Sequence, residues 1–244
     1  MGGASGTNAD TLPYRVKKVE LPRVRIHEIA SSFDPCEHNY GELELLAGDQ
    51  EEFTALDFLD REDLDPQDRL WLALHTQIVD RRVLHQIAVA YGLRASAIWS
   101  ILRNEKASVV LLAAKTKWMR TGGRDGSINS ELKGAHMLMT TSVRKAWVEA
   151  RDAKAGRQAQ KWEKAITAYE AGQVMLHAGR LEPRLAAWES CAALSRAVRR
   201  GRKFQLINSA FWDDTESWMM EAARNKISEH YGVRQARVAS GALL

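Results

Sequence analysis

The stretch LHQIAVAYGLRASAIWSILRN, residues 84–104, decides how the chain is read. Its apolar residues recur at intervals of three and four, the period of an amphipathic helix. Gly92 interrupts that pattern. Glycine adopts a positive φ without a Cβ penalty, so the spacing predicts a helix over roughly 82–91, a turn at Gly92 and a further helix over roughly 95–104. Ala88, four residues before the glycine, is small enough to let a following helix pass close to the first. Ile87, Leu93, Ile98 and Ile101 are spaced as apolar knobs between two helices, and Ser96 falls where a hydroxyl can meet the free amides of a helix start.

That spacing resembles the helix-turn-helix superfamily. A capped helix precedes the pair: Asp65 suits the N-cap, Pro66 the first helical position and Asp68 the first turn, and Leu70, Trp71, Leu74 and Ile78 follow at helical intervals. The three helices form a unit over 65–106, about one sixth of the chain. The resemblance implies that the last helix enters the major groove of duplex DNA and reads bases from its N-terminal part. Its outward residues are then Arg94, Ala95, Ser96, Trp99, Ser100 and Arg103, with Asn104 and Lys106 continuing the polar side. Arg94 and Arg103 suit guanine edges or phosphates, and the two serines suit phosphates or either base type. Trp99 departs from the pattern, being large for a groove-facing position. The tail ILRNEKAS is loosely similar to recognition helices of phage and plasmid regulators. A fainter echo, KISEHYGVRQARVASGALL, spans 226–244. There Gly241 occupies the last apolar position, and the favoured reading is a terminal helix stopped by a left-handed Gly232.

Charge is unevenly spread around this unit. Residues 1–68 hold 16 acidic and 6 basic residues, a net of −10, whereas 69–244 hold 15 and 29, a net of +14. The basic body suits a polyanion. The acidic stretch 37–68 suits a solvated face, a protein partner or a mask over the body. The run RAVRRGRK, 196–203, holds five basic residues in eight, of which Arg199, Arg200 and Lys203 are candidate phosphate contacts.

The rest of the chain reads as helix: 51–60, 107–120, 132–155, 158–177, 183–200 with a stop at Gly201, and a last helix capped by Asp213 or Asp214. The eight tryptophans are spaced along them as core anchors. Residues 14–29 alternate loosely and suit a short β element or an extended arm, and 30–50 read as irregular. The expected fold is therefore mainly α, with an arm over 1–50, a helix-turn-helix domain over 51–120 and a helical domain over 130–244 for oligomerisation or further contacts.

Composition narrows the function classes. Hydrophobic residues are 45%, charged residues 27% and the mean hydropathy is −0.36, which fits a soluble globular protein without a membrane span. The N-terminus lacks a secretory pattern, and two cysteines make no disulfide framework, which together suggest the cytoplasm. His27, Cys36 and His38 are the one grouping of metal character, and no second ligand pair follows, so no metal or other cofactor is expected. TGGRDG, 121–126, lacks the ending of a phosphate loop, and no hydrolase, zincin or dinucleotide fingerprint occurs, so an enzyme is not expected. The leading expectation is a sequence-specific DNA-binding protein of phage or plasmid type, a homodimer or higher oligomer. The alternative is a non-enzymatic helical interaction or packaging protein whose hairpin reads no DNA. Exposure of Arg94, Ser96, Ser100 and Arg103 separates the two, as does burial of Trp99.

Overall fold

A computed structural model describes residues 20–25, 28, 52–74, 78–103, 105–207 and 209–232. The fold is mainly α, with eight helices among these residues: α1 Ala55–Asp60, α2 Pro66–Ala73, α3 Arg81–Arg103, α4 Ala107–Thr121, α5 Gly126–Ala155, α6 Ala159–Ala178, α7 Pro183–Lys203 and α8 Ser209–Tyr231. The one β feature among them is an antiparallel bridge between Val24 and Phe53. It ties a residue of the 14–29 stretch to the entry of α1. Residues 29–51, and with them most of the arm and the first part of the acidic stretch, lie outside the described residues.

The helix starts follow their capping chemistry. Thr54 and Asp57 form a reciprocal capping box on α1. Asp65 accepts from the Gln67 amide with Pro66 at the first position of α2. Asp125 caps α5, and Glu182 caps α7 ahead of Pro183. Gly122 and Gly232 end α4 and α8 at φ +64° and +65°.

Gly92 does not make a turn. Helix α3 runs unbroken through it for 23 residues, and Gly92 carries no positive φ. The helix-turn-helix expectation is therefore corrected: in place of two helices at a fixed angle there is one continuous helix. The glycine serves close approach instead. A Cβ there would lie 2.6 Å from Leu112 on α4 and 3.2 Å from Ala178 on α6. Leu93 and Ile101, expected as inward knobs, are 59% and 58% exposed, because in a continuous helix they share one outer stripe with Ala97.

Helices α3 to α7 alternate in direction through short connections. The ion pairs Arg200–Glu163 and Arg196–Glu170 step along α6 and α7 in opposite senses, and the Ser96–Ser108 and His85–Trp118 contacts do the same for α3 and α4. Helix α6 packs on α3, α5 and α7, while α8 crosses α3 and α7. The expected division at 120–130 is corrected too. One core cluster runs from Phe53 through Trp99 and Leu111 to Leu194, Trp212 and Ile227, so the helices on both sides share a single interior. Two boundaries also differ. Gly201 lies inside α7, where its missing side chain makes room for the Trp212 ring, and α8 begins at Ser209, so Asp213 and Asp214 fall within it.

Two glycines give opposite expectations. Gly134 lies mid-α5 with nothing within 4 Å of its would-be Cβ, so Gly134→Ala should raise stability by about 0.5–1 kcal/mol. A methyl at Gly201 overlaps Trp212, so Gly201→Ala should lower stability by about 1–3 kcal/mol. Urea unfolding midpoints of the two variants check both.

Lys115 is fully buried on α4. Its Nζ donates to the Arg180 carbonyl at 2.6 Å and lies 4.0 Å over the Trp118 ring. Burial brings its pKa down from 10.5 to about 7, and burial brings His85 and His177 down from 6.5 to about 4. In each window between folded and unfolded values the unfolded chain holds the extra proton, so stability rises with pH there. Urea midpoints should climb from pH 4 to 6.5 through the histidines and again above pH 7 through Lys115. The Lys115 slope is at most about 1.4 kcal/mol per pH unit. It is opposed above pH 9.0 by the buried Cys191 thiol, whose pKa burial raises. Lys115→Met should remove the upper rise and leave the lower one.

Candidate nucleic-acid interface

The residues expected to read DNA are engaged by the fold. Trp99 is 0% exposed, wedged where a Cβ on Gly172 of α6 would lie 2.8 Å from its ring. Arg94 stacks 4.2 Å over the Phe211 ring and donates to Thr215 Oγ1 at 3.1 Å and the Phe211 carbonyl at 3.3 Å, with Asp214 3.5 Å away. Ser96 donates to Ser108 Oγ at 3.0 Å. Arg103 bridges Glu105 at 3.0 Å and Glu149 at 2.7 Å, and its guanidinium holds the Glu149 carboxyl below the usual carboxylate range. Asn104 lies outside the described residues; among the described ones of this group, only Ser100 and, at the start of α4, Lys106 are exposed. Around them the outer face of α3 is apolar, not basic. A base-reading ridge over 94–103 is therefore corrected: these side chains hold α3 to α4, α5, α6 and α8.

The second expected group, in RAVRRGRK, behaves differently. The end of α7 lies beside the start of α6 and the end of α5, and the three meet around Trp162. Arg200 and Lys154 approach that ring at 5.4 and 6.0 Å, and Arg200 also pairs with Glu163 at 3.5 Å. Arg199 and Lys203 are exposed. The fold adds Lys154, Arg157, Lys161 and Lys164 to this end, all exposed.

The ion pairs at this end leave a surplus. Arg151 pairs with Asp152, Arg103 with Glu149, Arg196 with Glu170 and Arg200 with Glu163. Among the described residues, no ion pair engages Lys154, Arg157, Lys161, Lys164, Arg199 or Lys203. Five cations from three helices and Arg157 from the α5–α6 corner thus share one end with a half-buried tryptophan, a combination that suits a phosphate backbone. Arg157 turns the α5–α6 corner at φ +55°, a conformation that costs a non-glycine residue about 1 kcal/mol. Four of the acids at the other charge extreme are structural: Asp57 and Asp65 cap helices, Asp63 pairs with Arg61, and Asp60 pairs with Arg224.

Lysines 154, 161 and 164 escape a reading of the sequence because each sits singly between uncharged or acidic neighbours. Only Lys161 and Lys164, at i and i+3 on one face, carry a local signal. Among the described residues, no helix is long and apolar enough to cross a membrane.

Arg94→Ala should lower stability by about 1–2 kcal/mol in urea unfolding, because it removes the hydrogen bonds to Thr215 and Phe211 and the stacking on Phe211. It should leave binding of any polyanion at the α5–α7 end unchanged in a titration of the folded variant. No family model matches the chain, and no curated protein or solved structure matches it.

Proposed function

We propose that the chain is a non-enzymatic helical protein that binds nucleic acid through its phosphate backbone, without reading sequence. The observation that carries this is the gathering of Lys154, Arg157, Lys161, Lys164, Arg199 and Lys203 at one end of the bundle with no carboxylate paired to them among the described residues. Cations placed so displace counterions from phosphates and supply affinity without base contacts. Trp162, packed between Lys154 and Arg200, offers an aromatic edge beside the track. Duplex DNA is the proposed partner, and the engaged state of Arg94, Ser96, Trp99 and Arg103 supports backbone contact over groove reading.

A second reading, a helical protein-interaction module, is favoured by one observation. Leu93, Ala97 and Ile101 on α3 and Val109 and Val110 on α4 expose an uncharged surface.

Titration of the full chain with random-sequence duplex at about 50 and 200 mM salt separates the two. Backbone binding predicts affinity that falls steeply with salt and does not vary with sequence. Replacing Lys161, Lys164, Arg199 and Lys203 with Ala should lower the magnitude of the log–log salt slope by about 0.9 for each phosphate left without its cation. An unchanged slope and affinity in that variant would remove this end from the interface. No binding by the folded protein at the lower salt would leave the interaction module as the function.

A further inference from the structure

At the opposite end of α6, about 30 Å away at 1.5 Å per residue, lies a cavity of about 530 Å³. It is open to solvent on one side, and the start of α3, the end of α4 and the α6–α7 connection border it. Arg81, Arg82, Arg120 and Arg124 line it, and no carboxylate does. Among the described residues none of these four arginines is in an ion pair. The acids nearest in sequence are engaged elsewhere. The Asp80 carboxylate accepts from the Arg82 amide, the Asp125 carboxylate from the Ser127 and Ile128 amides, and the Glu182 carboxylate from the Arg184 and Leu185 amides.

Arg81 and Arg82 occupy the first turn of a 23-residue helix, where their charge adds to the positive end of its dipole and the Asp80 carboxylate on the Arg82 amide offsets part of it. Behind the wall the Lys115 ammonium sits on the Trp118 ring, and Trp118 lines the cavity. His85 also lines it, is 6% exposed, and has a buried Nδ1 without a hydrogen-bond partner. Besides Thr121 and Gly122, the remaining wall is apolar: Met119, Leu181 and Pro183.

From this juxtaposition we infer that the cavity is a binding site for a small organic phosphate carrying two or more negative charges. The guanidinium forks take the phosphate oxygens, because planar donors match them bidentately. The apolar wall takes the organic body. The volume is in the range of small-molecule sites and exceeds what a bare phosphate fills. The loop TGGRDG contributes Thr121, Gly122 and Arg124 to the wall without a phosphate-loop ending, so recognition falls to side chains and not to a cradle of amides.

The test is isothermal titration of the full chain at low salt with adenosine diphosphate and with inorganic pyrophosphate, and Trp118 emission followed as the difference between wild type and Trp118→Phe. The site predicts one saturable equivalent, a change in the Trp118 difference signal, and tighter binding of the ester than of pyrophosphate. Arg82→Ala/Arg120→Ala, with its helical circular dichroism intact, should weaken binding at least about tenfold, the equivalent of one charge-assisted hydrogen bond. Lys161→Ala/Lys164→Ala should leave it unchanged, which keeps this site independent of the nucleic-acid reading. Absence of saturable binding by the folded wild type would overturn the proposal, as would equal weakening in both double variants. A loss of duplex affinity in the Arg82/Arg120 variant equal to its loss of ester affinity would also overturn it, by making the cavity part of a backbone track.

Discussion

Close approach of α3 to its neighbours, made possible by glycine, is the constraint from which the rest of the structure follows. Gly92 admits Leu112 of α4 and Ala178 of α6, and Gly172 of α6 admits the Trp99 ring. At both points a Cβ would overlap a side chain, so the helices sit nearer than ordinary side chains allow. The ring filling the second gap is among the largest fully buried groups in the protein. Gly201 repeats the device for Trp212 between α7 and α8. Large rings set against missing side chains bury much apolar area in a narrow space and leave little freedom for the helices to slide.

This packing decides what the charged residues near α3 can do. Once α3 is continuous and buried along one side, Arg94 and Arg103 lie beside Thr215, Phe211, Glu105 and Glu149, and half-buried guanidinium groups take such partners. Because α6 and α7 run antiparallel, Glu163 and Glu170 meet Arg200 and Arg196 and neutralise the inner basic positions. Among the described residues, Arg199 and Lys203 have no such neighbour. Charge therefore accumulates at the α5–α7 end, while the arginines of the other end line an open pocket.

The helices themselves are legible in the sequence. Asp65–Pro66 and Pro183 announce helix starts, Gly232 announces an end by the positive φ that glycine accepts, and the period of 158–177 announces α6; all of these depend on residues within a few positions of one another. Gly92 and Gly201 mislead for one reason. A glycine that ends a helix and a glycine that lets another chain segment come close look alike in one dimension, and the difference lies in Leu112, Ala178 and Trp212, which are 20, 86 and 11 residues away. The basic run 196–203 is visible as a run, but its companions Lys154, Arg157, Lys161 and Lys164 join it only through the turn between α5 and α6.

The sequence alone thus determined the helical class, most helix boundaries, the Asp65 cap and the imbalance of charge between the first 68 residues and the remainder. These follow from short-range backbone chemistry and from counting. Tertiary structure alone decided that residues 81–103 form one helix, that a single core unites both halves, and which cations are neutralised. Those outcomes depend on distances between residues remote in the chain, and a spacing pattern along one helix holds no information about which neighbour will fill the space a glycine leaves open.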